Sequence, residues 1–181
     1  MEKVILPPFK KRRTEDEIRK QCPWATLGRK GGRQPNIITS LELDSAVMEQ
    51  NNLRFQKKYA EIEANEVRYE EYQTEDADYI LVAFGSSARI CNKTVQLARE
   101  QGIKVGILRP ITLWPFPTKE IAKLADRTKG FLVAELNAGQ MIEDVRLAVN
   151  GKVPVEHYGR MGGMLFSPDE ILQALKEKVI K

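Results

Sequence analysis

Cysteine and histidine are scarce in this chain of 181 residues. It contains two cysteines, Cys22 and Cys91, and one histidine, His157. A cysteine- or histidine-based zinc site needs about four ligands, and a disulfide framework needs several pairs of cysteines. We therefore expect reduced thiols in a cytoplasmic protein and no metal site built from this chain alone.

The chain also lacks long apolar runs and the common nucleotide-binding and hydrolase motifs. No apolar stretch approaches the roughly 18 residues of a membrane span, and the first residues have no secretory signal. Gly85-Ser86-Ser87 has no following Gly-Lys-Ser/Thr, and neither Gly-x-Gly-x-x-Gly nor Gly-x-Ser-x-Gly occurs. His157 is the single imidazole, and Glu135 has no evident carboxylate partner. We predict no catalytic residue in this chain and no membrane association.

Charge is unevenly distributed behind a net value of +4. Residues 1–40 hold ten Lys/Arg and four Asp/Glu, whereas residues 41–77 hold four and ten. A nucleic-acid-binding protein would be basic along one continuous surface, so no nucleic-acid partner is expected. The basic run 10–13 is either a solvated charge cluster or a phosphate patch. The two oppositely charged segments favour docking to each other or to partner subunits.

Short apolar segments alternate with amphipathic ones from residue 66 onward, which predicts an α/β fold. Tyr79–Phe84 is apolar throughout, as a strand covered on both faces requires. The segment before it has alternating polarity and a charged face, and its link to Tyr79 is too short for a crossover, so we predict an antiparallel edge strand. The predicted strands are about 67–72, 79–84, 104–109, 131–135 and 153–158.

Three regions follow from these patterns. Residues 1–43 are predicted to be an extended basic arm, broken by glycine and proline. Residues 44–65 are predicted to be a linker helix with Asp44 as its N-cap, and residues 66–181 the α/β domain. Within that domain we expect Thr118 to cap one helix and Ser167, followed by Pro168, to begin the last one.

A ligand would collect at the carboxyl ends of the parallel strands. The loop at Gly85 opens a helix whose free N–H groups favour anions, and Arg109 and Arg160 would add positive charge. Trp114 and Phe116 lie in a proline-rich loop and either tuck onto their own domain or anchor a subunit contact. The candidate crevice and interface residues are Gly85, Ser86, Ser87, Arg109, Trp114, Phe116, Asn137, Gly139, Gln140, Arg160, Gly162 and Gly163.

Four stretches carry a resemblance to known proteins. Residues 79–89 (Tyr-Ile-Leu-Val-Ala-Phe-Gly-Ser-Ser-Ala-Arg) and residues 105–117 resemble the C-terminal domain shared by transketolases and related thiamine diphosphate enzymes. Residues 137–146 (Asn-Ala-Gly-Gln-Met-Ile-Glu-Asp-Val-Arg) and 158–163 (Tyr-Gly-Arg-Met-Gly-Gly) are similar to the α subunit of 2-oxoacid:ferredoxin oxidoreductases. The similarity is greatest to the branched-chain type, which uses 3-methyl-2-oxobutanoate (ketoisovalerate).

This resemblance implies a fold. The family has three α/β/α layers around a mixed five-stranded sheet ordered 1-3-2-4-5, with strand 1 antiparallel. The five predicted strands fit that order. The reversal of strand order then lies between the strands 79–84 and 131–135, which places a crevice between Ser86-Ser87 and Asn137, Gly139 and Gln140.

The resemblance also implies an activity for a complete complex. Such a complex uses thiamine diphosphate with magnesium, iron–sulfur clusters and coenzyme A to decarboxylate a 2-oxoacid and reduce ferredoxin. The thiamine-contacting domain would precede this region, and clusters need sets of cysteines. We therefore expect a C-terminal assembly domain that is inactive and cofactor-free alone, with Met1 inside a longer protein.

The expected partners are the other domains and subunits of the complex, ferredoxin through that complex, and a second copy in a homo-oligomer. Two alternatives stay open. One is a free-standing module for subunit interaction, and the other is a small anion-binding α/β domain.

Overall fold

The computed structural model of the chain describes residues 8–11, 13–25 and 34–180. Its contacts divide the chain into two units, Met1–Glu49 and Gln50–Lys181. The first unit contains a short helix, α1 (Glu15–Gln21), that sequence analysis did not predict. Thr14 and Glu17 form a capping box at its start, and acidic residues fill its first turn. Local capping and charge therefore stabilise this helix without an apolar stripe.

Helix α2 (Ser45–Asn65) follows the arm. The Asp44 carboxylate accepts hydrogen bonds from the backbone N–H groups of Ala46 (2.9 Å) and Val47 (3.2 Å). This arrangement confirms the predicted N-cap. None of the helix's residues is buried.

The second unit contains a five-stranded sheet with the order β1-β3-β2-β4-β5. Strand β1 pairs antiparallel with β3, and the other pairs are parallel. The predicted sheet order and the antiparallel first strand are confirmed. The strands are β1 (Tyr69–Tyr72), β2 (Tyr79–Val82), β3 (Val105–Pro110), β4 (Gly130–Glu135) and β5 (Val155–Gly159). The helices between and after them are α3 (Gly85–Glu100), α4 (Thr118–Ala125), α5 (Met141–Val149) and α6 (Pro168–Lys178).

Two apolar cores lie on opposite faces of the sheet, because neighbouring residues of a strand point to opposite sides. On one face, Leu81 and Leu132 pack with residues of α3 and α6. On the other face, Ile80 and Phe131 pack with residues of α4 and α5. The central strands are thus covered on both faces, which explains their continuous apolar sequence.

Arginines from the α/β domain neutralise part of the acidic segment. Arg109 on β3 pairs with Glu70 on β1 at 2.9 Å, and Arg99 on α3 pairs with Asp76 at 2.7 Å. Arg99 also donates to the backbone carbonyl of Gln73 at 2.8 Å. These carboxylates therefore hold the edge strand and its turn onto the sheet.

Two helix ends differ from the simplest interpretation of the sequence. The N-cap of α4 is Pro117, and no side chain caps it, so the prediction of Thr118 as the cap is wrong. Helix α5 ends at Val149, and its C-cap is Asn150 in the left-handed conformation, whereas Gly151 would be the residue expected there from sequence. In the described part of the chain, no helix combines the length and apolar content of a bilayer span.

Candidate functional site at the carboxyl edge of the sheet

The parallel strands all end at one edge of the sheet, and the strand order reverses there between β2 and β4. Helix α3 leaves β2 toward the first core, whereas α5 leaves β4 toward the second. The loops that follow the two strands therefore diverge to opposite faces. A crevice in this position is the usual ligand site of open α/β sheets.

Helix α3 begins at this edge with its backbone N–H groups uncapped. Gly85 adopts φ = +56°, which lets the chain turn directly from strand into helix. The N-cap is Phe84, and no side chain accepts a hydrogen bond from the first turn. Ser86 is exposed and Ser87 is buried. The helix start thus presents free donors and the positive end of the helix dipole toward the crevice.

The start of α5 has the opposite arrangement, because a buried carboxylate already occupies it. Glu135, the last residue of β4, is 1% exposed. Its carboxylate accepts from the backbone N–H groups of Gln140 (3.2 Å), Met141 (2.9 Å) and Ile142 (3.1 Å). The Asn137 amide donates a further hydrogen bond at 3.2 Å. The Glu135 carboxyl group therefore fills this helix terminus, and both of its oxygens already accept hydrogen bonds from the start of α5.

His157 on β5 lies beside this carboxylate. Its Nε2 is 3.7 Å from a Glu135 oxygen, beyond hydrogen-bond distance, and makes no hydrogen bond. Burial lowers the pKa of His157, an effect that the nearby Glu135 charge opposes and that Lys178 and Arg146 reinforce. The lowered pKa favours the neutral imidazole in this position.

Two glycines make room for the histidine ring. Gly139 has φ = +109°, and its N–H donates to the Asn137 side chain at 2.7 Å. A Cβ atom on Gly159 would lie 2.2 Å from the Asn137 carbonyl oxygen and 2.5 Å from His157 Cε1. Asn137, Gly139 and Gln140 thus form a packed loop around Glu135 and His157.

Both candidate arginines already have acidic partners. Arg109 pairs with Glu70 on the antiparallel edge strand. Arg160 forms an ion pair with Glu170 of α6. Gly162 and Gly163, with φ values of +66° and +85°, turn the chain from this arginine back toward α6. The positive charge of each arginine is therefore already balanced by a carboxylate.

The two aromatic rings of the proline-rich loop have different environments. Phe116 is partly buried against the core that contains α4 and α5. Trp114 is 55% exposed and makes an edge contact with Tyr59 of α2, with ring centroids 5.6 Å apart. Phe116 thus tucks onto its own domain, whereas Trp114 offers an aromatic surface.

Sequence analysis singled out Glu135 but did not find its role as a helix cap. The signal for this role is a glutamate at the end of a strand, followed within five residues by a helix that has no Ser, Thr, Asp or Asn cap.

Burial raises the pKa of the Cys91 thiol, so this cysteine is unsuited to act as a nucleophile. Among the described residues, no group of three His, Cys, Asp or Glu side chains is placed to hold a metal ion.

The sequence model of pyruvate:ferredoxin oxidoreductase core domain II matches residues 77–171, more than half of the chain. The chain belongs to this family. The match begins just before β2 and ends within α6, so it includes both crevice loops. The resemblance inferred from the sequence is confirmed.

The chain is 45% identical over 161 residues to ketoisovalerate oxidoreductase subunit VorB of Methanothermobacter thermautotrophicus. That alignment covers 89% of this chain and 45% of the relative, so the chain spans less than half the length of that relative.

Two solved structures share the fold of this core domain II protein. A 2-oxoglutarate:ferredoxin oxidoreductase from Magnetococcus marinus has a TM-score of 0.64 at 22% identity and covers 84% of this chain and 28% of that one. A split-gene transketolase has a TM-score of 0.53 at 16% identity and covers 61% of this chain and 40% of that one. The transketolase-like architecture expected from the sequence is therefore confirmed.

Proposed function

We propose that this chain is the assembly domain of the α-type subunit of a 2-oxoacid:ferredoxin oxidoreductase whose substrate is a branched-chain 2-oxoacid. In that complex, other polypeptide would carry out oxidative decarboxylation to an acyl-CoA and reduce ferredoxin. The domain would hold neighbouring domains and subunits in place.

The similarity to the ketoisovalerate relative carries this proposal. An alignment over 161 of the 181 residues starts no later than residue 21, so it includes the linker helix and part of the arm. Segments outside a shared core evolve to suit particular neighbours, because loops and linkers are constrained less by packing. Similarity there supports the branched-chain type of complex.

The residues of this chain do not fit the redox groups of such a complex. An iron–sulfur cluster is held by cysteine thiolates, and Cys22 and Cys91 are the only cysteines in the sequence. The buried carboxylate at the crevice, Glu135, is already bonded to the start of α5. We therefore assign thiamine diphosphate, magnesium, the clusters and coenzyme A to other parts of the complex.

The assay that tests the substrate uses the intact complex, purified through an affinity tag on this chain. Ferredoxin reduction is measured with coenzyme A and, in turn, 3-methyl-2-oxobutanoate, 2-oxoglutarate and pyruvate. We expect the highest kcat/KM for 3-methyl-2-oxobutanoate. A higher value for either other acid contradicts the branched-chain assignment, and no reduction with any acid contradicts the oxidoreductase function.

A separate measurement tests the role of the domain. Calorimetric titration of the 181-residue chain with thiamine diphosphate and Mg²⁺ should give no binding heat. Micromolar binding by the chain alone would overturn the assembly role and favour the anion-binding alternative at Gly85, Ser86 and Ser87.

A further inference from the structure

Helix α2 has no core to support it. It runs for 21 residues, and none of them is buried. Phe55 and Tyr59 remain 40% and 42% exposed, although their rings stack on each other. Helices in water gain most of their stability from packing an apolar face. The length of α2 and its exposed rings indicate that another surface covers this helix.

Four of the larger apolar residues of α2 follow a coiled-coil repeat, whereas Val47 and Leu53 lie outside it. Met48, Phe55 and Ile62 are seven residues apart and occupy position d of a heptad. Asn52 and Tyr59 then occupy position a. From Met48 to Ile62 the a and d positions alternate by four and three residues, which is the pattern that lets two helices pack side by side. Leu53, 57% exposed, lies outside the seam at position b.

The polar residues of the repeat indicate which helix is the partner. A single asparagine at position a, here Asn52, favours a parallel two-stranded coil because the two amides can pair across the seam. In that arrangement Lys58 at position g faces Glu63 at position e of the other helix. An antiparallel pair would instead bring Glu49 and Glu63 together, with like charges. Within Ser45–Asn65, only the parallel direction therefore pairs opposite charges; Asp44, the N-cap at position g, faces Glu49 in that arrangement.

We propose that α2 is a dimerisation element that forms a parallel coiled coil with α2 of a second copy of this chain. Each copy contributes the same seam, so the contact is closed and two-fold symmetric. Trp114 of the same copy makes an edge contact with Tyr59, a residue of the seam, so the seam adjoins the proline-rich loop. The proposal does not depend on the oxoacid that the complex uses.

Two matched substitutions test the seam in the 181-residue chain by sedimentation equilibrium. Phe55→Glu places a charge at position d, whereas Leu53→Glu places the same charge outside the seam. We expect a dimer for the unaltered chain and for Leu53→Glu, and at least about tenfold weaker association for Phe55→Glu. Near-ultraviolet circular dichroism of Trp114 and the core aromatics checks that both variants keep their tertiary structure.

The measurement is made at about 100 µM protein, well above the dissociation constant of about 1 µM that we expect for the dimer. If the unaltered chain is a monomer at that concentration, the proposal is wrong and another polypeptide covers α2. If both substitutions weaken dimer association equally, the proposed seam is wrong.

Charge exchange and cross-linking test the direction of the helices. Lys58→Glu and Glu63→Lys should each weaken the dimer, and the double variant should restore it. With Cys22 replaced by serine, Asn52→Cys should form an intermolecular disulfide, because equivalent a positions adjoin only in a parallel coil. A dimer that fails to cross-link, or a double variant weaker than both single ones, contradicts the parallel arrangement.

Discussion

Gly159 is the residue at which β5 meets the loop after β4. A Cβ atom in this position would overlap the carbonyl of Asn137 and the ring of His157. The carbonyl belongs to the loop that packs around Glu135, and Gly139 of that loop also lies next to the ring. Glycine is therefore the one residue that fits at position 159 without a shift of its neighbours.

Gly159→Ala should lower the free energy of unfolding by about 2–4 kcal/mol, because backbone and ring must both shift to admit a methyl group. Urea denaturation monitored by circular dichroism measures the change. Gly162→Ala is the matched control. Its Cβ would meet open space, and its positive φ alone should cost about 1–2 kcal/mol. Equal losses for the two variants would contradict the steric explanation.

His157 gives the stability of the domain a dependence on pH. Its pKa in the folded protein is lowered from the ordinary value of 6.5, so the unfolded chain binds a proton more readily. The stability that the neutral, buried form contributes is fully present above the unfolded pKa of 6.5, and it is lost as the pH falls from there through the lowered pKa of the folded protein. Carboxylates with lowered pKa values, such as Glu170 and Asp76, affect the free energy of unfolding at lower pH than His157 does.

We therefore expect the free energy of unfolding to decrease as the pH falls from about 7 to 5. His157→Gln, which cannot titrate, should reduce that slope, as measured by urea denaturation at several pH values. Lys178→Gln, which removes a nearby positive charge, should raise the pKa of His157 and also lessen the slope. An unchanged slope in His157→Gln would assign the dependence to other groups.

Among the helices, α4 and α6 show how similar sequences begin differently. Ser167 caps α6 with its side chain and forms a capping box with Glu170. Thr118, also preceding an acidic residue, is instead the first residue of α4 and makes no capping bond. Pro117 has no backbone N–H to complete a box and takes the cap position itself.

Ser167→Ala should destabilise the domain by about 1 kcal/mol, because the N–H of Glu170 loses its acceptor. Thr118→Ala, the equivalent change at α4, should alter the free energy of unfolding by less than about 0.5 kcal/mol. Thermal or urea unfolding of the two variants makes the comparison. A larger loss at Thr118 would show that this hydroxyl contributes to the start of α4.

The sequence pattern predicted the strands well because the central strands are covered on both faces, whereas their order followed from the resemblance to a known family. Such strands need uninterrupted apolar residues, as in Tyr79–Phe84, and this signal is local. The roles of Glu135 and Arg99 were not predictable in this way, since their partners come from the start of α5 and from the turn after β1. Helix α1 was missed because its stability comes from Thr14 and Glu17, with no apolar period to reveal it.

At the scale of the whole molecule, the core and the self-association surface lie in different parts of the chain. Thr74 is the first buried residue in the described ranges, and the apolar core extends from Ala77 to Leu175. A chain that begins at residue 66 should therefore unfold cooperatively, within about 5 °C of the 181-residue chain in scanning calorimetry. It should also sediment as a monomer, because it lacks α2.

A chain that begins at residue 44 keeps the helix and should remain a dimer. If the shorter chain fails to fold, the arm and helix stabilise the sheet directly; if it folds and still dimerises, the contact lies on the α/β domain instead.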